Sequence, residues 1–297
     1  MDRTLSQFPT SASLRALEDA FHAMVARSRA EAAPDLGGRL DRLARLRSVV
    51  ADNEERFRQA ISADFGHRSA VETTIAEAMM VYGEIRHATK HLKGWMAPQR
   101  VATALQFLPA RNRLMPQPLG VVGIIAPWNY PLQLTLAPAI GAIAAGNRVM
   151  IKPSELSPHF SALLKETVAA RFDATELLVT GVEDDVAKAF ANLPFDHLVF
   201  TGSTRVGRLV AEAAGRNLTP VTLELGGKSP VIIDARPISR RPPSASPTAS
   251  CSMPGRPASR RITCWCRKIP CRLSPRRYAP RCGACSAPIR QTRTTPP

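Results

Sequence analysis

Between Leu119 and Glu155 the chain reads LGVVGIIAPWNYPLQLTLAPAIGAIAAGNRVMIKPSE, and this stretch limits the possible folds more than any other. An apolar run, Val121 to Ala126, stops at Pro127-Trp128-Asn129-Tyr130-Pro131. A second apolar segment, Leu134 to Ala145, closes on Gly146-Asn147, a helix-stop pair. A short β-rich run, Arg148 to Ile151, then delivers Lys152-Pro153-Ser154-Glu155. Strand, prolyl turn, helix, stop and strand make a βαβ unit. Open sheets built from such units bind ligands beyond the carboxyl ends of their strands. Asn129, Lys152 and Glu155 fall just past two such ends.

The flanking segments extend this pattern. Ser11 to Glu31 and Leu36 to Phe65 carry helical spacing, with Leu40, Leu43, Leu46, Val49 and Val50 at three- and four-residue steps. Val71 to Trp95 is predicted as one long helix through Ile75, Met79, Val81, Ile85 and His87, its Met and His residues serving core and surface rather than a metal. Val101 to Pro118 reads as a β-hairpin turning near Arg111-Asn112, an element that can serve dimer contacts. Ser157-Pro158 starts a helix reaching about Phe172. Strands are expected over Glu176 to Val179, Asp196 to Phe200, Val221 to Leu225 and Pro230 to Ile233. Helices are expected over Asp185 to Asn192 and from the Gly202–Gly207 turn to about Ala214. The alternation predicts an α/β protein with a mostly parallel sheet covered on both faces.

Composition breaks near Ala235. Residues 235–297 hold fourteen of the 40 Lys and Arg, none of the 24 Asp and Glu, all six cysteines and twelve of the 26 prolines. The preceding 234 residues are left near neutral, with 26 basic against 24 acidic side chains. The formal charge of +16 therefore belongs to the tail and does not assign the body a nucleic-acid partner. The first twenty residues include acidic side chains and no apolar signal core. No run approaches the roughly 18 to 20 apolar residues of a membrane span. A cytoplasmic protein without a membrane partner is expected, with residues 1–234 as one body and 235–297 as a disordered tail.

Several polar groups have the chemistry of a site. Gly202-Ser203-Thr204-Arg205-Val206-Gly207 spans a strand-to-helix turn whose N–H groups could approach a phosphate, although a plain tight turn has the same composition. It matches neither GxGxxG nor a phosphate-binding loop with terminal Lys-Ser/Thr. Lys152 and Glu155 could hold ribose hydroxyls, and a carboxylate there would repel a 2′-phosphate; a solvated loop is the plainer reading. Glu224, before two glycines, could face a cleft or make a surface ion pair. Asn129, stiffened by the prolines around it, could donate to an oxyanion.

Taken in order, Pro127-Trp128-Asn129-Tyr130-Pro131, Lys152-Pro153-Ser154-Glu155, Phe200-Thr201-Gly202-Ser203 and Leu223-Glu224-Leu225-Gly226-Gly227-Lys228 resemble the aldehyde dehydrogenase superfamily over most of the first 234 residues. Asp64-Phe65-Gly66-His67-Arg68 and Arg86 to Leu92 resemble its coniferyl-aldehyde dehydrogenase branch. The resemblance implies a Rossmann-like cofactor domain and NAD(P)-dependent oxidation of an aldehyde, aromatic or aliphatic, to the acid. It implies thiolate attack on the aldehyde and an oxyanion held by Asn129. Hydride would then pass to the nicotinamide, and water activated by Glu224 would release the acid. It places Ile125, Trp128, Lys152, Ser154, Glu155, Gly202, Ser203 and Val206 at the cofactor, with Glu155 favouring NAD over NADP, and implies no metal. Family members are homodimers or larger, through carboxy-terminal elements this frame does not encode.

The family's nucleophile sits in a Gly-Gln-Thr-Cys context absent here. Cys251, between Ser250 and Ser252, is nearest to Glu224. Codons for Cys251 to Cys266, regrouped one base earlier, can spell Leu-Asn-Ala-Gly-Gln-Thr-Cys-Ile-Ala-Pro-Asp-Tyr-Val-Leu-Val. Two bases of each regrouped codon are nearly fixed by the protein sequence, so the match is specific. The reading frame is therefore expected to slip near Ala235, with the thiol spelled across Pro257 and Ala258. Cys264-x-Cys266 and Cys282-x-x-Cys285 then carry no metal implication. A nucleic-acid-binding tail is the alternative; its affinity would fall steeply with salt and vanish on cutting at Ala235.

Overall fold

A computed structural model describes residues 12–227 and two short strands, Val231–Ile233 and Cys264–Cys266. The chain divides into two compact units, residues 1–227 with 251–256, and residues 228–250 with 257–297. In the first, three helices lead: α1 (Ala12–Ala30), α2 (Leu36–Ala51) and α3 (Glu54–Asp64). A short α4 (Ala70–Thr73) passes through a π-turn, Thr74–Ala78, into α5 (Met79–Met96). Strands β1 (Gln99–Val101) and β2 (Asn112–Leu114) pair antiparallel as an exposed hairpin. Then come β3 (Val121–Ile125), α6 (Pro131–Ala144), β4 (Arg148–Lys152), α7 (Pro158–Ala169) and β5 (Leu177–Val179). The unit ends with α8 (Asp184–Asn192), β6 (His197–Gly202), α9 (Thr204–Arg216) and β7 (Val221–Leu225).

The five strands from β3 to β7 form one all-parallel sheet in the order β5-β4-β3-β6-β7. Side chains alternate across it, so each face buries its own core. Val122, Ile124, Val149 and Ile151 pack under α6 and α7, with α2, α3 and α5 behind them. Val121, Met150, Leu198 and Phe200 pack under α1, α8 and α9. The predicted α/β architecture is the observed one. In the second unit β8 (Val231–Ile233) pairs in parallel with β9 (Cys264–Cys266). The strand expected over Pro230 to Ile233 thus joins β9 rather than the main sheet. The rest of 235–297 lies outside the described residues.

Helix α6 ends as expected. Gly146, at φ +92, occupies a left-handed position that a side chain would strain, and a Cβ there would stand 2.7 Å from the Arg39 guanidinium carbon. Its N–H donates to Ile143 O and that of Asn147 to Ala142 O. Asn147 Oδ1 in turn accepts from the Leu119 and Gly120 N–H groups at 2.7 and 3.0 Å, tying the helix stop to the entry of β3.

Two expectations are corrected. The helix predicted from Val71 to Trp95 is interrupted by the π-turn, whose extra residue rotates the following side chains. Ile75, Met79 and Met80 therefore face outward while Glu77 turns inward, so the methionines are not core filling. The hairpin does not turn at Arg111-Asn112. Its connection contains a 3-10 turn, Leu105–Phe107, and Asn112 already lies in the returning strand, opposite Val101.

The starts of α6 and α7 are held by carboxylates from the amino-terminal helices. Each begins at a proline, after Tyr130 or Ser157, and neither preceding residue makes a side-chain cap. At α7 the Asp64 carboxylate, its side chain fully shielded, accepts from the His159 and Phe160 N–H groups at 2.9 Å each. Replacing Asp64 by Ala removes both acceptors and is expected to cost about 2 kcal/mol in urea denaturation. Ser157→Ala, which removes only a local hydroxyl, should cost less; an equal or larger loss from Ser157→Ala would refute the cap.

Candidate active site

The strand order reverses between β3 and β6, since the chain steps outward from β3 through β4 to β5 and then returns to β6 and β7. Loops leaving β3 and β6 diverge to opposite faces there, opening the crevice in which open α/β sheets bind ligands. Ile125 ends β3, in register with Lys152 at the end of β4 and with Phe200 on β6. Trp128 and Asn129 follow β3; Ser154 and Glu155 follow β4. Gly202 ends β6, Ser203 caps α9, Val206 lies in its first turn, and Glu224 on β7 sits opposite Thr201. The predicted residues thus gather at one edge of the sheet. Among the described residues the Asn129 side-chain amide and the exposed Glu224 carboxylate have no hydrogen-bond or ion-pair partner.

Lys152 does not lie in a solvated loop. As the last residue of a strand covered on both faces it is buried, and its Nζ donates to Glu155 Oε2 at 2.6 Å while Glu155 remains half exposed. Partial burial pushes the Glu155 carboxyl upward, but the hydrogen bond and charge of Lys152 outweigh it and hold it below its ordinary range. Ser154 is buried and turns inward: its carbonyl accepts from the hydroxyls of Ser157 and Ser161.

The glycine-bearing turn after β6 has a packing reason. A Cβ on Gly207 would meet Leu225 Cδ2 at 2.7 Å, so this glycine lets α9 close on β7. The Ser203 hydroxyl accepts from the Val206 N–H at 3.3 Å, leaving the N–H groups ahead of it in the first turn for a ligand.

Two site residues had no clear signal in the sequence. The Arg68 guanidinium, almost wholly buried, donates from Nη1 to the Asn129 carbonyl at 2.9 Å. It lies between the rings of Phe65 and Tyr130, at 4.8 and 4.6 Å from their centroids. Glu77, fully buried in the π-turn, accepts from the Leu132 N–H at 2.6 Å and the Gln133 N–H at 3.3 Å, capping α6. Its other oxygen lies 3.5 Å from Arg68 Nη1. The available hint was indirect: Tyr130 cannot cap the helix that Pro131 opens, so an anion from elsewhere is required. Among the described residues no cluster of His, Cys, Asp and Glu is arranged to hold a metal.

A doubly covered parallel sheet with a polar crevice at its switch point places the chain in the class of doubly wound α/β proteins. Residues 3–236 match the family model described as Aldehyde dehydrogenase family. The chain belongs to the aldehyde dehydrogenase family. It is 50% identical over 215 residues to a probable coniferyl aldehyde dehydrogenase of Pseudomonas aeruginosa, covering 71% of this chain and 45% of that protein. A coniferyl aldehyde dehydrogenase of a Pseudomonas species is 46% identical over 195 residues, covering 66% and 40%. A substrate-bound AldH of Staphylococcus aureus superposes with a TM-score of 0.71 at 39% identity, covering 74% of this chain and 48% of that one. A Mycobacterium tuberculosis aldehyde dehydrogenase complexed with NAD+ gives 0.66 at 25% identity, over 75% and 46%. The chain therefore spans less than half the length of these relatives. Among the described residues no helix is long and apolar enough to cross a membrane.

Burial pushes the Glu77 carboxyl up from 4.5 to about 7, against the opposing pull of Arg68 and the two amides. The fold then keeps a proton that the unfolded chain has lost. The associated stability is full below 4.5 and disappears as pH rises through about 7. Glu77→Gln cannot titrate, so its stability relative to the parent should rise between pH 5 and pH 8, by at most about 3 kcal/mol. Urea denaturation of both proteins at the two pH values reads this directly. A relative stability that stays constant would mean Glu77 titrates as an ordinary carboxylate.

Proposed function

We propose that residues 1–234 are the dinucleotide-binding portion of an NAD-dependent aldehyde dehydrogenase, and that in the frame written the chain binds cofactor without oxidising aldehyde. The observation that carries this reading is the buried Lys152 paired with an ionised Glu155 at the end of β4, one strand from the switch point.

The donor set fits a dinucleotide. Lys152 and Glu155 offer a cation and an anion to the two hydroxyls of a ribose, and the first-turn N–H groups of α9 suit phosphate. Ile125, Trp128, Ser154, Gly202, Ser203 and Val206 would surround it. The negative charge of Glu155 would repel a 2′-phosphate, which favours NAD, with NADP the weaker ligand. When bound, NAD supplies a hydride acceptor for aldehyde oxidation. The Asn129 amide, without a partner among the described residues, would donate to the oxygen of an aldehyde undergoing attack. Glu224 would take a proton from water during release of the acid.

The nucleophile is the missing part. All six cysteines lie beyond residue 250, in a segment that departs from the family pattern. The family match ends at residue 236, next to the predicted slip at Ala235. That coincidence supports a frame change, and the names of the relatives support an aromatic aldehyde such as coniferaldehyde as the substrate of the in-frame enzyme. A homodimer would belong to that enzyme as well.

Calorimetric titration of this chain should show NAD bound at least ~10-fold more tightly than NADP, with Glu155→Gln narrowing the ratio. No NADH should form with coniferaldehyde or benzaldehyde; turnover by this polypeptide would overturn the inactive reading. Resequencing across codons 234 to 237 separates an altered gene from an altered record.

A further inference from the structure

Two of the most deeply buried charges in the molecule take no part in holding cofactor or substrate in the reading above. The side chains of Arg68 and Glu77 are 2% and 0% exposed. They satisfy one another poorly, with a closest approach of 3.5 Å. Arg68 Nε and Nη2 and Glu77 Oε1 lack hydrogen-bond partners among the described residues. A buried pair left in this state is a weak contributor to stability. What the pair does hold well is backbone.

Arg68 Nη1 grips the Asn129 carbonyl at 2.9 Å, and its guanidinium plane is pressed between Phe65 and Tyr130. Glu77 grips the Leu132 N–H at 2.6 Å. Only Tyr130 and Pro131 lie between these anchored residues, and Pro131 has its φ fixed by its ring. On the other side the Trp128 ring packs against Phe65 at a tilt of 35°, with centroids 5.9 Å apart. The segment carrying the Asn129 amide is thus fastened on one side by Arg68 and on the other by Glu77, with Glu72 also 3.5 Å from Arg68 and accepting from the Tyr130 hydroxyl at 3.4 Å.

We propose that Arg68 and Glu77 are positioning residues for Asn129, holding the backbone on either side of it so that its amide is presented in one direction. The proposal rests on Asn129 being the oxyanion donor. It explains why two ionisable side chains are kept in the core. Arg68 suits the task because a planar guanidinium can stack and donate together, which an ammonium cannot.

Trp128 reports on this segment. The chain has three tryptophans, so Trp95→Phe and Trp265→Phe leave Trp128 as the sole emitter. In that background Arg68→Gln should raise acrylamide quenching of Trp128 roughly twofold with far-UV circular dichroism unchanged, because the segment gains local freedom without global unfolding. Arg68→Lys should also raise it, and stands in if Arg68→Gln does not fold. Glu77→Ala should act in the same direction, and Glu77→Gln, which keeps an acceptor for Leu132, should restore part of the parent value. Asp64→Ala, which removes the cap of the neighbouring helix, should leave Trp128 quenching unchanged. Quenching that stays at the parent value in folded Arg68 variants, or rises equally in Asp64→Ala, would overturn the proposal. The measurement needs no ligand. Failure of the parent chain to bind NAD in a parallel titration would therefore count against the cofactor reading alone.

Discussion

Neither helix that covers the inner face of the sheet closes its own amino terminus. Both open on a proline, and both receive a carboxylate from the helical layer that precedes the sheet in the chain: Glu77 for α6 and Asp64 for α7. Proline at the first position removes one donor, but the next two N–H groups still need acceptors, and a helix end without them is costly to bury. The amino-terminal helices are consequently more than a cover for apolar surface. They complete the hydrogen bonding of the sheet's own helices, and in doing so set where the loops after β3 and β4 end. Those loops carry Asn129 and Glu155, and Lys152 closes the strand from which the second one leaves.

The electrostatics of the crevice follow from the same layering. Lys152 is buried because β4 is covered on both faces, and a buried ammonium needs a nearby anion. Glu155, three residues on and still partly in water, supplies it. Glu224 stands differently, exposed on β7, the last strand of the five-stranded sheet. Its carboxylate is open to water, whereas the segment carrying Asn129 is fastened through its backbone by Arg68.

Much of this was legible in the residues. The βαβ unit from Val121 to Lys152, its Gly146-Asn147 stop and the succession of parallel strands follow from local periodicity and turn chemistry, which act over a few residues. The positions of Asn129, Lys152 and Glu155 near strand ends were legible for the same reason, since strand ends can be located once strands can. The tasks of Arg68 and Glu77 were not, because their partners lie 61 and 55 residues away, although Arg68 falls within the family-like Asp64–Arg68 motif. The outward turn of Ile75 and Met79 was missed because a periodicity of 3.6 cannot anticipate an extra residue in one turn. Lys152 reads as a loop residue by type, and only the covering of both faces of β4 makes it an interior one.

The π-turn has a consequence for how this part of the chain can vary. An added residue in a helix advances every following side chain by about 100°, and here that advance is what sends Glu77 inward while Val81 and Ile85 still reach the core. Exchange of the outward-facing side chains alters little, whereas loss of a single residue between Thr74 and Ala78 would rotate the carboxylate away from α6 or the apolar stripe away from the sheet. Besides the carboxylate of Glu77, chain length is the quantity this segment must preserve.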